Sequence, residues 1–245
     1  MQALPFVFSL LVAGALTPLA LARLAEAGAM RENYRGRALP VPIGIVVVPA
    51  ALIALIPVML LARLTDLDVF PDNLGFAIVF VPGIALLGLI DDALAREGRG
   101  WRGHGRDVVG GTLSTGVLKA GGTLGLALLV ASSLPGSGAE FLLATAVLVL
   151  ATNAFNLLDL RPGRSVKAYV LLGIGLTLAT QNTAALAGLG IFTAPVLVAG
   201  WFDLREKAML GDTGSNAIGA LAGLWIVLTL DTSGQVIALL ILLAL

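Results

Sequence analysis

The chain has 245 residues, of which 58 % are hydrophobic and only 12 % are charged, about half the charged fraction of a soluble domain. This composition predicts an integral membrane protein, and the formal net charge of zero argues against a nucleic-acid partner. The sequence has no cysteine and a single histidine, His104. Disulfides and thiol chemistry are therefore excluded, and little room is left for an imidazole metal site.

Apolar runs of about 20 residues, the length that crosses a bilayer as a helix, recur along the whole chain. The first run continues past Ala20 without a basic leader, and we expect a retained span instead of a cleaved signal. A ninth apolar segment, Gln235 to Leu245, has eleven residues. The predicted fold is one all-α, polytopic transmembrane domain over residues 1–245, with about eight or nine membrane helices. The eight predicted spans are 3–23, 43–62, 74–90, 112–131, 139–158, 166–181, 184–201 and 214–230.

Basic residues are distributed unevenly between the loops. With alternating spans, fourteen of the fifteen Lys and Arg residues fall on one side, and only Arg63 lies opposite, beside Asp66, Asp68 and Asp72. Because cytoplasmic loops carry the excess of positive charge, we expect the fourteen at the cytoplasmic face of the cell membrane and the N-terminus outside. The same side collects the unusual polar residues of the sequence.

The first cytoplasmic loop, "RENYRGRALPVPIG" (residues 31–44), is basic and broken by prolines, and it is either an orientation signal or part of a site. Asp91 and Asp92 end the third predicted span. Adjacent carboxylates at a membrane boundary repel each other and lose hydration, so they indicate either a bound Mg²⁺ or a solvated helix end. Lys119 stands inside the fourth span, where it either snorkels to the interface or faces phosphate or carboxylate.

The fifth span ends in "NAFNLLD", which places Asn153, Asn156 and Asp159 at three-residue spacing along one stripe of a helix. Interhelical hydrogen bonds would explain the two amides, whereas a carboxylate near lipid indicates a functional site. Arg161 and Arg164 follow in the next loop, where they either bind phosphate or anchor the loop at the membrane surface.

The last polar cluster, "AMLGDTGSNAIG" (residues 208–219), leads into the eighth span. Its glycines permit a ligand to approach the backbone, and amides that open a helix favour an anion, although a plain polar turn has the same composition. Carboxylates thus reach one membrane face at Asp91 and Asp92, at Asp159 and at Asp212, each beside basic or amide groups. One shared site for a metal and phosphates accounts for this better than three unrelated loops.

At these motifs the sequence resembles the polyprenyl-phosphate N-acetylhexosamine-1-phosphate transferases. The segments "GLIDD", "NAFNLLD" and "MLGDTGSNAIG" occur in the family's order and at comparable spans, and the match covers most of the chain. The resemblance implies transfer of a phospho-sugar from a nucleotide diphosphate sugar to polyprenyl phosphate in cell-envelope biogenesis. It implies Mg²⁺ as the cofactor, with Mn²⁺ as the alternative. The expected partners include membrane lipids and no nucleic acid, and a homodimer is left open.

Together with the residue chemistry above, the resemblance assigns the site residues. Asp91, Asp92 and Lys119 are the expected catalytic residues, and Asp92 and Asp212 are the expected metal ligands. The expected substrate-binding residues are Asn33, Arg37, Asn153, Asn156, Asp159, Arg161, Arg164 and Ser215.

Two departures from the family's pattern concern the donor. Pro162 stands where a second aspartate of the third motif would be, and Met209 replaces an aromatic residue that stacks on uracil. We therefore expect metal and phosphate chemistry to be retained and recognition of a UDP-sugar to be altered. The alternative is a catalytically inactive relative that binds polyprenyl phosphate or another lipid as a regulator or partner. A CDP-alcohol phosphotransferase does not fit, because Val109 and Leu113 occupy the positions of its last two aspartates.

Overall fold

The computed structural model describes residues 1–65, 67–71, 73–94 and 115–245, which fold into a bundle of α-helices. A short antiparallel hairpin of strands β1 (Met30–Glu32) and β2 (Ala38–Pro40) lies between the first two helices. The helices are α1 (Leu4–Glu26), α2 (Val47–Leu64), α3 (Leu74–Leu94), α4 (Thr115–Ala131), α5 (Gly138–Leu158), α6 (Arg164–Thr180), α7 (Ala184–Leu204), α8 (Gly211–Thr229) and α9 (Thr232–Ala244).

Five of the described helical segments are long and apolar enough to cross a membrane, which fits a membrane protein. They are α1, α3, α5, α7 and the segment Ile43–Leu64, in which a 3₁₀ turn runs directly into α2. Each is rich in Leu, Ala and Val, and a helix satisfies its backbone groups internally, as a bilayer requires. The predicted all-helical bundle is therefore confirmed. The number of crossings and the side of the N-terminus stay predictions.

The remaining predicted spans also form helices, although they are shorter or less apolar than the five. Four arginines that the charge pattern placed on the cytoplasmic side lie outside the described residues, as does the single histidine. These residues are Arg96, Arg99, Arg102, Arg106 and His104.

Helix α8 forms the centre of the bundle, and every residue from Thr213 to Val227 is buried. Glycines make this possible, because a side chain at Gly219 would collide with the backbone of α5, and one at Gly44 would collide with the backbone of Gly214. Small residues let helix backbones approach closely inside a membrane. The N-terminus of α8 is thereby held among the ends of its neighbours.

The first loop is more ordered than the sequence indicated, because β1 and β2 pair with Met30 opposite Pro40. Asn33 closes the turn, since its side-chain oxygen accepts hydrogen bonds from the backbone amides of Arg35 and Arg37 at 2.9 and 3.0 Å. The Met209 amide donates to the carbonyl of Pro40 at 2.9 Å. The hairpin is thus docked on the segment that leads into α8.

Candidate functional site

Four helix ends carrying the polar motifs meet at one end of the bundle. They are the C-terminal ends of α3 and α5 and the N-terminal ends of α4 and α8. Gly88 permits the contact between α3 and α8, because a Cβ at this position would collide with the backbone of Asp212. Motifs separated by more than a hundred residues in the sequence therefore come together.

Lys119 joins two of the carboxylates. Its Nζ lies 2.5 Å from Oδ2 of Asp212 and 3.6 Å from Oδ2 of Asp91, and the Lys119 side chain is only 15 % exposed. The carboxyl groups of Asp91 and Asp212 are also within hydrogen-bonding reach of each other. Asp91, Asp212 and Lys119 thus form one acidic cluster, in which a single ammonium contacts two carboxyl groups.

Asp92 has a different environment from Asp91, because both of its carboxylate oxygens bond to the start of α8. Oδ1 accepts from the Asp212 amide at 3.0 Å, and Oδ2 accepts from the amide and the hydroxyl of Thr213 at 2.8 and 2.7 Å. Arg31 approaches Oδ1 at 4.0 Å. Asp92 thus caps the N-terminus of a helix that is remote in the sequence, a role that suits a carboxylate.

The stripe predicted on α5 divides between two environments. Asn156 donates from Nδ2 to the Ser215 hydroxyl at 3.0 Å, lies within hydrogen-bonding reach of the Asp212 carboxylate, and so joins the cluster. Ser215 in turn donates to the carbonyl of Gly211 at 3.0 Å. Asn153 is exposed and is not brought to the cluster. The drift of about 60° per three residues on a helix explains the separation.

Asp159 ends the stripe beyond the last residue of α5, and its Oδ1 is buried with no hydrogen-bond partner among the described residues. Burial, together with the negative charges of Asp203, Asp212 and Asp92, raises the pKa of Asp159 to about 9. The carboxyl group is therefore neutral at pH 7, when it can donate a hydrogen bond and is a poor metal ligand.

The turn after Asp159 is held by Asp203, a residue that the sequence reasoning did not select. Its buried carboxylate accepts a hydrogen bond from the Gly163 amide at 2.6 Å. Gly163 has φ +70 and opens α6, so the turn needs a glycine. No local pattern signalled this role, because Asp203 falls just beyond the predicted span 184–201.

Glu206 holds the hairpin and was also missed. It accepts from Nδ2 of Asn33 at 3.2 Å and lies 3.3 and 3.7 Å from the guanidinium groups of Arg35 and Arg37. The side chains of Asn33 and Arg37, both predicted to bind substrate, are thus engaged within the protein. A single glutamate between Arg205 and Lys207 was the sequence signal for an internal ion pair.

Basic side chains form a rim on this end of the bundle. The guanidinium of Arg161 lies over the ring of Tyr34 at 5.6 Å, and that of Arg35 lies over the same ring at 5.1 Å. Arg164 is exposed at the first position of α6. Stacking on an aromatic ring leaves the donors of a guanidinium free for phosphate. The guanidinium of Arg161 is therefore available to an anionic ligand, as is the exposed side chain of Arg164.

The carboxylate side chains of this region can be compared with the coordination that Mg²⁺ requires. Among the described residues, no group of three or more His, Asp or Glu side chains is placed to hold a metal ion. Mg²⁺ usually takes one or two carboxylates and completes its shell with water and substrate phosphates. Asp91 and Asp212 supply two carboxylates around a position where an ammonium already lies. The pair therefore matches Mg²⁺ in the number of carboxylates, and a metal would take the position that the Lys119 ammonium holds.

No protein-family model matches the chain, and no curated protein matches it either.

Proposed function

We propose that this protein is a Mg²⁺-dependent phosphotransferase, which moves a phospho-sugar from a nucleotide diphosphate sugar to polyprenyl phosphate at the cytoplasmic face of the cell membrane. The observation that carries the proposal is the contact of Lys119 with both Asp91 and Asp212 at the basic end of an apolar bundle. The contact between Asn156 and Ser215 adds the third motif of the family resemblance to the same site. Motifs that contact one another in the fold support a shared function better than motifs that only follow one another in the sequence.

In the proposed reaction an oxygen of polyprenyl phosphate attacks the sugar-bearing phosphorus of the donor. The new P–O bond forms while the bond from that phosphorus to the bridging pyrophosphate oxygen breaks, and a nucleoside monophosphate leaves. The carboxylate of Asp91 accepts the proton of the lipid phosphate where that phosphate arrives protonated. Lys119 lies 3.6 Å from this carboxylate and keeps positive charge beside the transferred group.

Asp91 and Asp212 are the residues that would hold Mg²⁺, which when bound would neutralise charge on the donor pyrophosphate. Asp92 is assigned a positioning role here, because both of its oxygens bond to α8. Asn156 orients Asp212 and Ser215. Arg161 and Arg164 bind the outer phosphate groups, whereas Asn33 and Arg37 act through the hairpin that Glu206 holds.

One observation favours the alternative of a lipid-binding relative without catalysis. The ammonium of Lys119 lies 2.5 Å from Asp212 and fills the space between the two carboxylates. In such a protein Lys119 would replace the metal permanently, and the site would hold a lipid phosphate without transferring anything to it. Pro162 and Met209, which depart from the family's donor contacts, agree with this alternative.

The test uses purified full-length protein with polyprenyl phosphate, a panel of nucleotide diphosphate sugars and Mg²⁺, and it detects the lipid product by mass spectrometry. We expect a polyprenyl diphosphate sugar that disappears with a chelator. Asp91→Asn should lower the rate by at least about a hundredfold, the lower range for removal of a general base. Asp68→Asn is the matched control, because Asp68 is exposed and far from the cluster in the sequence.

Absence of product with every donor, combined with saturable binding of polyprenyl phosphate that Asp91→Asn preserves, would reject the transferase and support the lipid-binding relative. Absence of both product and binding would reject both functions. Equal rates in Asp91→Asn and the wild type would show that the cluster is not the catalytic site.

A further inference from the structure

A long apolar crevice runs between α6 and α7 on the outside of the bundle. Two cavities of about 680 and 370 Å³ share Val170 and Leu197 in their walls and together follow α6 from Val166 to Leu178. Trp225 of α8 lines the larger cavity. The two cavities therefore adjoin each other, with further walls from α8 and from Phe6 of α1, and no residue of the acidic cluster lines them.

The crevice covers most of the length of α6. At a rise of about 1.5 Å per residue, the stretch from Val166 to Leu178 extends about 18 Å. The hydrocarbon core of a bilayer is about 30 Å thick, so a crevice that starts at one membrane surface reaches past the middle of the bilayer. A lipid whose head lies at that surface therefore places its acyl chains along most of the crevice.

Positive charge is found at one end of the crevice only. Lys167 and Trp201 line the smaller cavity, and the guanidinium of Arg205 lies 4.1 Å over the Trp201 ring. Within the described part of the chain, neither cation pairs with a carboxylate. The far end is lined by uncharged polar residues, Gln2 and Thr183 among them. Tryptophan is typical of the headgroup level of a membrane, so this end suits an anionic head.

We propose that the crevice binds one anionic glycerophospholipid of the leaflet on the basic side. Its phosphate lies between Lys167 and Arg205, and its acyl chains run past Val170 and Leu197 towards Trp225. The occupant is a membrane phospholipid and not the acceptor, because none of Asp91, Lys119 and Asp212 lines the crevice. The site stands independently of the proposed catalysis.

The test measures where the lipid binds, using the tryptophans of the chain. The sequence has three, Trp101, Trp201 and Trp225, and a Trp101→Phe background leaves the two that line the crevice. The full chain is reconstituted in phosphatidylcholine vesicles that contain a small fraction of brominated phosphatidylglycerol or brominated phosphatidylcholine. Bromine quenches tryptophan on contact. We expect stronger quenching by the brominated phosphatidylglycerol at equal fractions.

The double variant Lys167→Gln with Arg205→Gln should reduce the preference for phosphatidylglycerol about tenfold or more, given the attraction of each surface cation for anionic lipid. The matched control, Arg23→Gln with Lys207→Gln, removes the same charge at the same end outside the crevice and should keep the preference. Equal quenching by both lipids in the wild type, or a preference that survives in the double variant, would overturn the proposal.

A second variant tests the apolar part without changing charge. Val170→Phe fills the junction of the two cavities and should weaken quenching by both brominated lipids, whereas Leu142→Phe, on the exposed face of α5, should not. Unchanged quenching in Val170→Phe would contradict the crevice as the binding site. Displacement of the brominated lipid by polyprenyl phosphate, and not by unlabelled phosphatidylglycerol, would identify an acceptor site instead.

Discussion

Asp91 and Asp92 are neighbours in the sequence and have different partners in the fold. Asp91 shares Lys119 with Asp212, whereas Asp92 accepts three hydrogen bonds from the first turn of α8. The two carboxylates contact different partners because successive residues on a helix are rotated by about 100°. One of them is therefore suited to chemistry and the other to structure.

This difference predicts that substitution of Asp92 lowers stability, whereas substitution of Asp91 lowers activity. Asp92→Ala leaves two amides and a hydroxyl at the start of α8 without an acceptor, which should lower the free energy of unfolding by about 1–3 kcal/mol. Asp91→Ala should change the thermal midpoint little and abolish product formation. Thermal unfolding in detergent measures the first effect, with Asp68→Ala as the control. An Asp92→Ala protein as stable as the wild type would contradict the capping role.

Asp159 makes the stability of the folded protein depend on pH. Its pKa is raised from 3.8 to about 9, so the folded state binds the proton more tightly than the unfolded state does. Stability is then greatest at low pH and decreases as the pH rises towards about 9. We expect the thermal midpoint of the wild type to fall across this window and that of Asp159→Asn to fall less.

The control for this measurement is Asp68→Asn, which removes a carboxylate that is exposed in the structure. It should reproduce the pH dependence of the wild type. If Asp159→Asn retains the full decrease in midpoint between pH 6 and pH 9, other groups are responsible for it.

At the scale of the elements, contacts between helix backbones position the cluster. Gly88 of α3 lies against the backbone of Asp212, Gly211 has φ +71 before the first turn of α8, and Gly219 lies against the backbone of α5. Backbone cannot move aside as a flexible side chain can. The geometry around Lys119 therefore depends on residues that carry no chemistry of their own.

Gly88→Ala should separate α3 from α8 and displace Asp92 from the amides that it caps. We expect a loss of about 1–3 kcal/mol in the free energy of unfolding, the range for overpacking, together with reduced activity. Gly75→Ala is the matched control in the same helix, because a Cβ there meets no atom within 4 Å. Thermal unfolding and product formation should both distinguish the two variants, and equal behaviour would show that α3 and α8 adjust freely.

At the scale of the whole molecule, the prediction is the orientation in the membrane. Reporters fused after Arg37, Arg99, Arg164 and Lys207 should report the cytoplasm, and fusions near Asp68 and Ser137 should report the outside, as the distribution of basic residues requires. If a reporter fused after any of the first four positions reported the outside, this would contradict a shared site on one face of the membrane.

Much of the fold follows from local composition. Apolar runs predicted helices that begin and end within a few residues of the observed ones, such as α5 at Gly138–Leu158 and α7 at Ala184–Leu204. Alternating spans also predicted that the motifs of Asp91, Asn156 and Asp212 reach the same end. Both inferences need only the hydrophobicity of each segment and the length of a membrane helix.

The role of each polar residue in the site depends on tertiary contacts. The sequence pattern treated Asp91 and Asp92 as a pair and Asn153, Asn156 and Asp159 as one stripe. Which side chain meets a partner is set by the rotation and tilt of each helix against its neighbours, and no local pattern encodes these.

The sequence by itself thus determined the helical bundle, the basic end and the candidate residues, because burial in lipid imposes a composition on each segment separately. Only the tertiary structure decided that Lys119 joins two carboxylates, that Asp92 caps α8, that Asp203 and Glu206 hold the flanking loops, and that α6 and α7 leave a crevice. These features arise between residues far apart in the chain. Their energies depend on distances of a few ångströms, which packing alone sets.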